Sequence, residues 1–255
     1  MASRKEEKER LRKEREEAER KAQASGRSRL IIGYVVAGAL ALVILVGLVI
    51  ALAGGGSDST TDGGSTVASG DCSQANTDFG GIVPDGIECD NRDGTPPPEV
   101  KVGDLTAAAK AAGCDLQLNL KDEGATHLDP KKDDLPDYGT NPPTSGDHYP
   151  VPLADGAYLS TPSAGYFVHG LEHGRIEIQY SSDLPEDDQL ALKGVLDADT
   201  PGVDLFPNDD MPYDVAVTAW TQLMSCDTFE GDATLDAIQD FRDAYRGRGP
   251  EAIPY

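Results

Sequence analysis

The residues predict an α+β domain standing outside a membrane, carried on one transmembrane helix. Three observations predict it. Leu30 to Ala53 is an apolar run without a charged side chain. Beyond it, period-two segments that read as strands are intermixed with period-3.6 segments that read as helices, without the regular alternation of a parallel α/β sheet. Between them lies a stretch dense in Pro, Gly, Asp and Asn, and the chain's four histidines fall in it and at its exit.

The apolar run is long enough to span a bilayer core, which takes roughly 20 residues. It exceeds the usual h-region of a cleaved signal, although Ala51-Leu52-Ala53 resembles a cleavage site. Arg27 and Arg29 abut its start, and no Lys or Arg follows until Arg92. An excess of basic residues on one side places that side in the cytoplasm. The expected organisation is a charged cytoplasmic tail at 1–29, a plasma-membrane span at 30–53, a flexible Gly/Ser linker at 54–70 and an extracytoplasmic domain at 71–255. In the tail, Glu6/Arg10, Glu9/Lys13, Glu16/Arg20 and Glu17/Lys21 are favourable i,i+4 pairs.

Charge divides along the same boundary. The chain carries 22 basic and 45 acidic residues. Residues 2–29 hold 11 basic and 7 acidic ones, which leaves a net charge of −27 beyond them. Such a field repels nucleic acid and attracts cations.

Within the domain, Asp71 to Val100 is loop-rich and ends near Pro96-Pro97-Pro98. Asp104 is positioned to cap a short helix over LTAAAKAA that Gly113 ends. Asp115–Leu120 and Arg175–Tyr180 alternate and predict strands, as does Asp214–Leu223. Pro185–Leu196 predicts a helix with Pro185 in its first turn. Thr234–Tyr245 predicts another, with Leu235, Ile238, Phe241 and Tyr245 on one face.

The four cysteines, Cys72, Cys89, Cys114 and Cys226, all follow the span, and none forms a C-x-x-C pair. An even count in an oxidising compartment predicts two disulfides. Of three connectivities, the favoured one joins Cys72 to Cys89 and Cys114 to Cys226.

His127, His148, His169 and His173 are the candidate metal ligands. His148 follows Asn141-Pro-Pro-Thr-Ser-Gly-Asp, where Pro142, Pro143 and Gly146 favour a rigid turn. His169 and His173 lie in VHGLEHG. Imidazole suits zinc and copper. Met211 and Met224 are soft donors that would favour copper, although core filling is the commoner role of methionine. The H-x-x-E-H spacing matches an inverted zinc-protease motif, which needs a helix. Gly170 and Gly174 bracket it and a strand follows, so an extended backbone is expected instead, with Glu172 directed away from the two histidines.

NPPTSGDHYP, GYFVHGLEHGRIEIQY and VAVTAW together resemble a bacterial family known as domain of unknown function 3105, met mostly in anchored or exported actinobacterial proteins. The resemblance covers about residues 112–248. The family pattern carries an acidic residue near Ala164-Gly165-Tyr166 and a glycine where Thr221 stands. No activity comes with the resemblance. It implies that His127, His148, His169, Glu172 and His173 belong together.

The leading expectation is an anchored extracytoplasmic module that binds a transition metal, copper or zinc. The alternatives are a metal-dependent hydrolase with Glu172 as general base, and a structural envelope protein with no metal. No P-loop, dinucleotide fingerprint or G-x-S-x-G motif is present.

Overall fold

A computed structural model describes residue 72 and residues 75–255. The predicted tail, span and linker lie outside the described residues. Among the described residues, no helix is long and apolar enough to cross a membrane.

The chain enters with α1 (Leu105–Ala111), capped as expected: the Asp104 carboxylate accepts from the Ala107 N–H at 2.9 Å. Gly113 ends it at a φ of +70°. Then come β1 (Asp115–Gln117), β2 (Gly156–Ala157), α2 (Ala164–Glu172), β3 (Ile176–Tyr180), α3 (Glu186–Ala198), β4 (Val203–Pro207), β5 (Val215–Ala219), β6 (Gln222–Cys226) and α4 (Asp232–Tyr245). The strands form one sheet in the order β1-β6-β5-β3-β4-β2. The β2, β4 and β3 pairings are parallel, and those of β3 with β5, β5 with β6 and β6 with β1 are antiparallel. This mixed arrangement fits the α+β expectation.

Two predicted elements are corrected. Asp214–Leu223 is not one strand: the chain reverses at Trp220-Thr221 to give the β5–β6 hairpin. Thr221 takes a φ of +60°, a conformation that usually marks itself with Gly or Asn. β1 stops at Gln117, short of Leu120, and Asn119 leaves the strand with a φ of +56°.

The period-two alternation of the strands sorts their side chains onto two faces. One face presents Ile176, Ile178, Tyr180, Val203, Leu205, Val215, Val217 and Met224 to α1, α3 and α4, and forms the main hydrophobic cluster. The other face presents Glu177, Gln179, Asp204, Phe206, Ala216, Thr218, Leu223 and Ser225, all buried. Phe206 meets Phe167, Val168 and Leu171 of α2 there, along with Leu153, Tyr158 and Trp220. Both methionines proposed as soft ligands fill hydrophobic clusters instead, Met211 beside Ala216 and Leu223 and Met224 in the main core.

Disulfides join Cys72 to Cys89 and Cys114 to Cys226, the favoured connectivity. The second ties the end of α1 to the end of β6. The lead-in segment lies along the chain before and through β2: Asn76, Ile82 and Cys89 bridge to Asp155, Leu153 and Tyr158. Asp90 donates its N–H to the Ala157 carbonyl at 2.8 Å.

Candidate metal centre

The second face of the sheet carries the histidines above it, through α2 and the loop that precedes it. The extended backbone expected over His169–His173 is corrected. His169 and Glu172 stand in the last turn of α2, and His173 is its C-cap. Residues three and four apart share a helix face, so His169, Glu172 and His173 all point one way. The bracketing glycines have other causes. A Cβ on Gly170 would come within 2.9 Å of both Arg175 Cδ and Glu177 Oε1 beneath the helix. Gly174, at a φ of +90°, ends the helix.

His148 and His127 arrive from the loop. His148 N–H donates to the Thr126 carbonyl at 3.0 Å and Leu128 N–H to the His148 carbonyl at 2.7 Å, a parallel bridge that sets the two histidines side by side. Asp147 steadies it by accepting from the Thr126 N–H at 2.9 Å. Gly146 takes a φ of +130°, and its carbonyl turns back to the His148 ring. Tyr149 N–H donates to the Gly165 carbonyl at 2.9 Å, fastening the loop to α2. Thr221 N–H donates to the Thr144 carbonyl at 2.9 Å, so the β5–β6 turn supports the loop from the other side.

One donor atom from each of His127, His148, His169 and Glu172 lies within 4.8 Å of the other three, and this group can hold a metal ion. His148 Nε2 is 3.1 Å from Glu172 Oε2, and His127 Nε2 is 3.7 Å from the same oxygen. The rings of His127 and His169 stack with centroids 4.9 Å apart. His148, His169 and Glu172 are buried, and His127 is exposed. His173 stands outside this group of four, but its Nε2 is 2.8 Å from His169 Nε2.

Three rings share one arrangement. His148 Nδ1 is 2.8 Å from the Gly146 carbonyl, His169 Nδ1 2.5 Å from that of Tyr149, and His173 Nδ1 3.0 Å from that of Glu251. A carbonyl only accepts, so each Nδ1 carries the hydrogen. In the neutral rings each Nε2 is then a bare lone pair, directed into the cluster. Burial lowers the His169 pKa to about 4, opposed by the Tyr149 carbonyl and reinforced by the three neighbouring histidines, so this ring stays neutral at physiological pH. Neutral rings leave acceptor facing acceptor between His148 and Glu172 and between His169 and His173. A proton or a metal cation among them resolves that conflict, and orienting carbonyls behind the rings are the usual outer partners of metal-bound histidine.

Sequence reasoning brought the four histidines together and named Glu172. It missed that Glu172 enters the cluster as a donor, and it missed the carbonyls of Gly146, Tyr149 and Glu251. Backbone carbonyls have no residue signature, and only the fold selects them.

No curated protein and no solved structure gives a match to the chain. Residues 131–254 match the model of a family described as Protein of unknown function (DUF3105), a span that includes His148, His169, Glu172 and His173. Residues 131–254 are therefore a domain of that family of unknown function, DUF3105.

Proposed function

We propose that this protein is a membrane-anchored extracytoplasmic module that binds a divalent transition metal, zinc or copper(II), through His127, His148, His169 and Glu172. The carrying observation is the shared orientation of His148 and His169, each with a backbone carbonyl against its Nδ1. Each is turned by a backbone carbonyl so that its Nε2 lone pair meets a carboxylate and a third imidazole in one small space. Three imidazoles and a carboxylate are a donor set for zinc or copper(II), and with Met211 and Met224 in hydrophobic clusters no sulfur donor among the described residues argues for copper(I).

Glu172 is read here as a ligand rather than a general base. Its Oε2 is 3.1 Å from His148 Nε2 and 3.7 Å from His127 Nε2, so a bound metal would occupy the lone pair that base catalysis needs. Four protein donors favour binding over hydrolysis, because a catalytic zinc keeps one position open. Two disulfides support an oxidising compartment, and the −27 net charge beyond the tail would concentrate cations near the site. The uncharged run at 30–53 with arginines before it supports the anchor and its orientation.

The test is isothermal titration of the purified chain with zinc and with copper(II), alongside His148→Ala and Glu172→Ala. One equivalent bound by the native chain, and much weaker binding by both variants, is the expected result. No heat above the buffer blank would leave a hydrogen-bonded histidine cluster in a structural domain.

A further inference from the structure

The last nine residues lie across the end of α2 and bond to Glu172, His173 and Gly174. Gly247 N–H donates to the Gly174 carbonyl at 2.8 Å, Glu251 N–H to that of Glu172 at 3.0 Å, and Ile253 N–H to that of His173 at 3.2 Å. The Tyr255 hydroxyl reaches the His173 carbonyl at 3.3 Å. In return the His173 ring donates from Nδ1 to the Glu251 carbonyl at 3.0 Å. The last carbonyls of a helix need partners from outside it, and here the tail supplies them. The fit is close: a Cβ on Gly249 would stand 2.1 Å from the Glu172 carbonyl oxygen. Tyr255 anchors the end, its ring 5.0 Å from that of Phe79 and 5.9 Å from the Arg175 guanidinium.

The tail's effect on the site runs through His173. With Nδ1 committed to Glu251, the His173 Nε2 lone pair faces His169 Nε2 at 2.8 Å. Two nitrogens bound to one metal at about 2.1 Å stand about 3.0 Å apart when they are at right angles. The separation of His169 from His173 is therefore that of two adjacent ligands, even though His173 stands outside the group of four.

We propose that the C-terminal tail is a working part of the metal centre: it presents His173 as a fifth donor, so that metal binding and tail docking strengthen each other. The proposal rests on the metal reading of the four-residue group. It adds that the loaded site has four imidazoles and one carboxylate, not three and one. It also adds a reciprocal coupling, since whatever holds the tail in place tightens the metal and the metal tightens the tail by the same factor.

Cobalt(II) is the probe, because its visible bands weaken as coordination number rises from four to five. The full chain in detergent would be titrated with cobalt, beside His173→Asn and a chain ending at Arg248. His173→Asn keeps a side-chain N–H for the Glu251 carbonyl while removing the donor to the metal, so it tests ligation without releasing the tail. The expected result is that both changes weaken cobalt binding by about 10- to 100-fold, the usual cost of losing a ligand or its support, and intensify the bands. Cobalt should also slow removal of the last residues by carboxypeptidase in the native chain. Native affinity and spectrum in His173→Asn overturn the proposal, whatever the shortened chain does. A native chain that shows no cobalt bands at all overturns the metal reading and this proposal with it.

Discussion

The two faces of the sheet are held by different physics. Toward α1, α3 and α4 the strands present aliphatic side chains, and burial of that surface organises the helices upon them. Toward α2 they present Glu177, Gln179, Asp204, Thr218 and Ser225, every one of them buried. Above these polar residues the chain is mostly loop, fastened by single backbone bonds such as Thr221 to Thr144 and Tyr149 to Gly165. The helical face is a frame that folds by burial. The other face spends stability on buried polar and acidic groups, and it is where the histidines stand. Polar groups left in a protein interior are costly, so their concentration beneath the site marks that face as the one shaped for a task.

The largest effect expected is on the frame. The Cys114–Cys226 disulfide closes a loop of 112 residues, and its removal should cost about 4–5 kcal/mol on the chain-entropy account. Urea unfolding of Cys114→Ser/Cys226→Ser against the native chain measures it. A much smaller loss would mean that helix burial alone secures this face.

The second effect belongs to the site. A metal at about 100 times its Kd adds about 2.7 kcal/mol to the native state if the unfolded chain does not bind it. Melting with zinc or copper and then with a chelator should show that difference, and His169→Ala should abolish it. Because protons compete for the imidazoles, the gain should shrink as pH falls.

The third concerns Glu177 and Asp204, neighbours on adjacent parallel strands beneath α2. Burial raises both carboxyl groups well above their ordinary values, and nearby acids raise them further, Asp204 for Glu177 and Asp155 for Asp204. Neither Glu177 oxygen has a hydrogen-bond donor other than a proton shared with its neighbour. For an acid whose pKa rises on folding, the native state holds more protons than the unfolded one above the ordinary value. Stability is then full below about pH 4 and declines as pH climbs toward the raised value. Glu177→Gln should flatten that decline, so its Tm relative to native should be higher at pH 8 than at pH 5. Parallel curves for the two proteins would show that the carboxyl pair does not titrate on folding.

The smallest effect tests the hinge between the faces. Thr221 sits at a φ of +60°, where a β-branched residue is strained by roughly 1–2 kcal/mol. Thr221→Gly relieves that strain but frees the unfolded chain, which costs about 0.5–1 kcal/mol. A net gain between about 0 and about 1.5 kcal/mol is expected, read as a small rise in Tm without loss of metal binding.

The frame was the more legible face. Its strands alternate and its helices carry a period, and Asp104 and Gly113 punctuate α1 as such residues should. β4 was missed because it is buried on both sides, and Asp204 interrupts the apolar run that would have revealed it. The β5–β6 hairpin was missed because Thr221 stands where a turn glycine is normal. On the site face, His169–His173 read as extended because Gly170 and Gly174 bracket the motif and a strand follows. Contacts of Phe167, Val168 and Leu171 with Phe206 override those signals, and no local rule contains them. The histidine cluster itself was legible from residue type and glycine-proline setting. The direction of its lone pairs was not, since that depends on backbone carbonyls that only the fold selects, from Gly146 two residues before His148 to Glu251 at 78 residues from His173.

The margins of the sheet have a consequence for the protein in a crowd. Growth of one sheet onto another needs a run of free backbone N–H and C=O groups along an edge strand. β1 offers a strand of only three residues. At the opposite margin β2 is two residues long, and the lead-in segment already lies over it through the bond from Asp90 to Ala157. Copies gathered at high local density therefore find almost no template for polymerising edge to edge. A self-association would have to use side-chain surface, where the excess of carboxylates sets like charge against like.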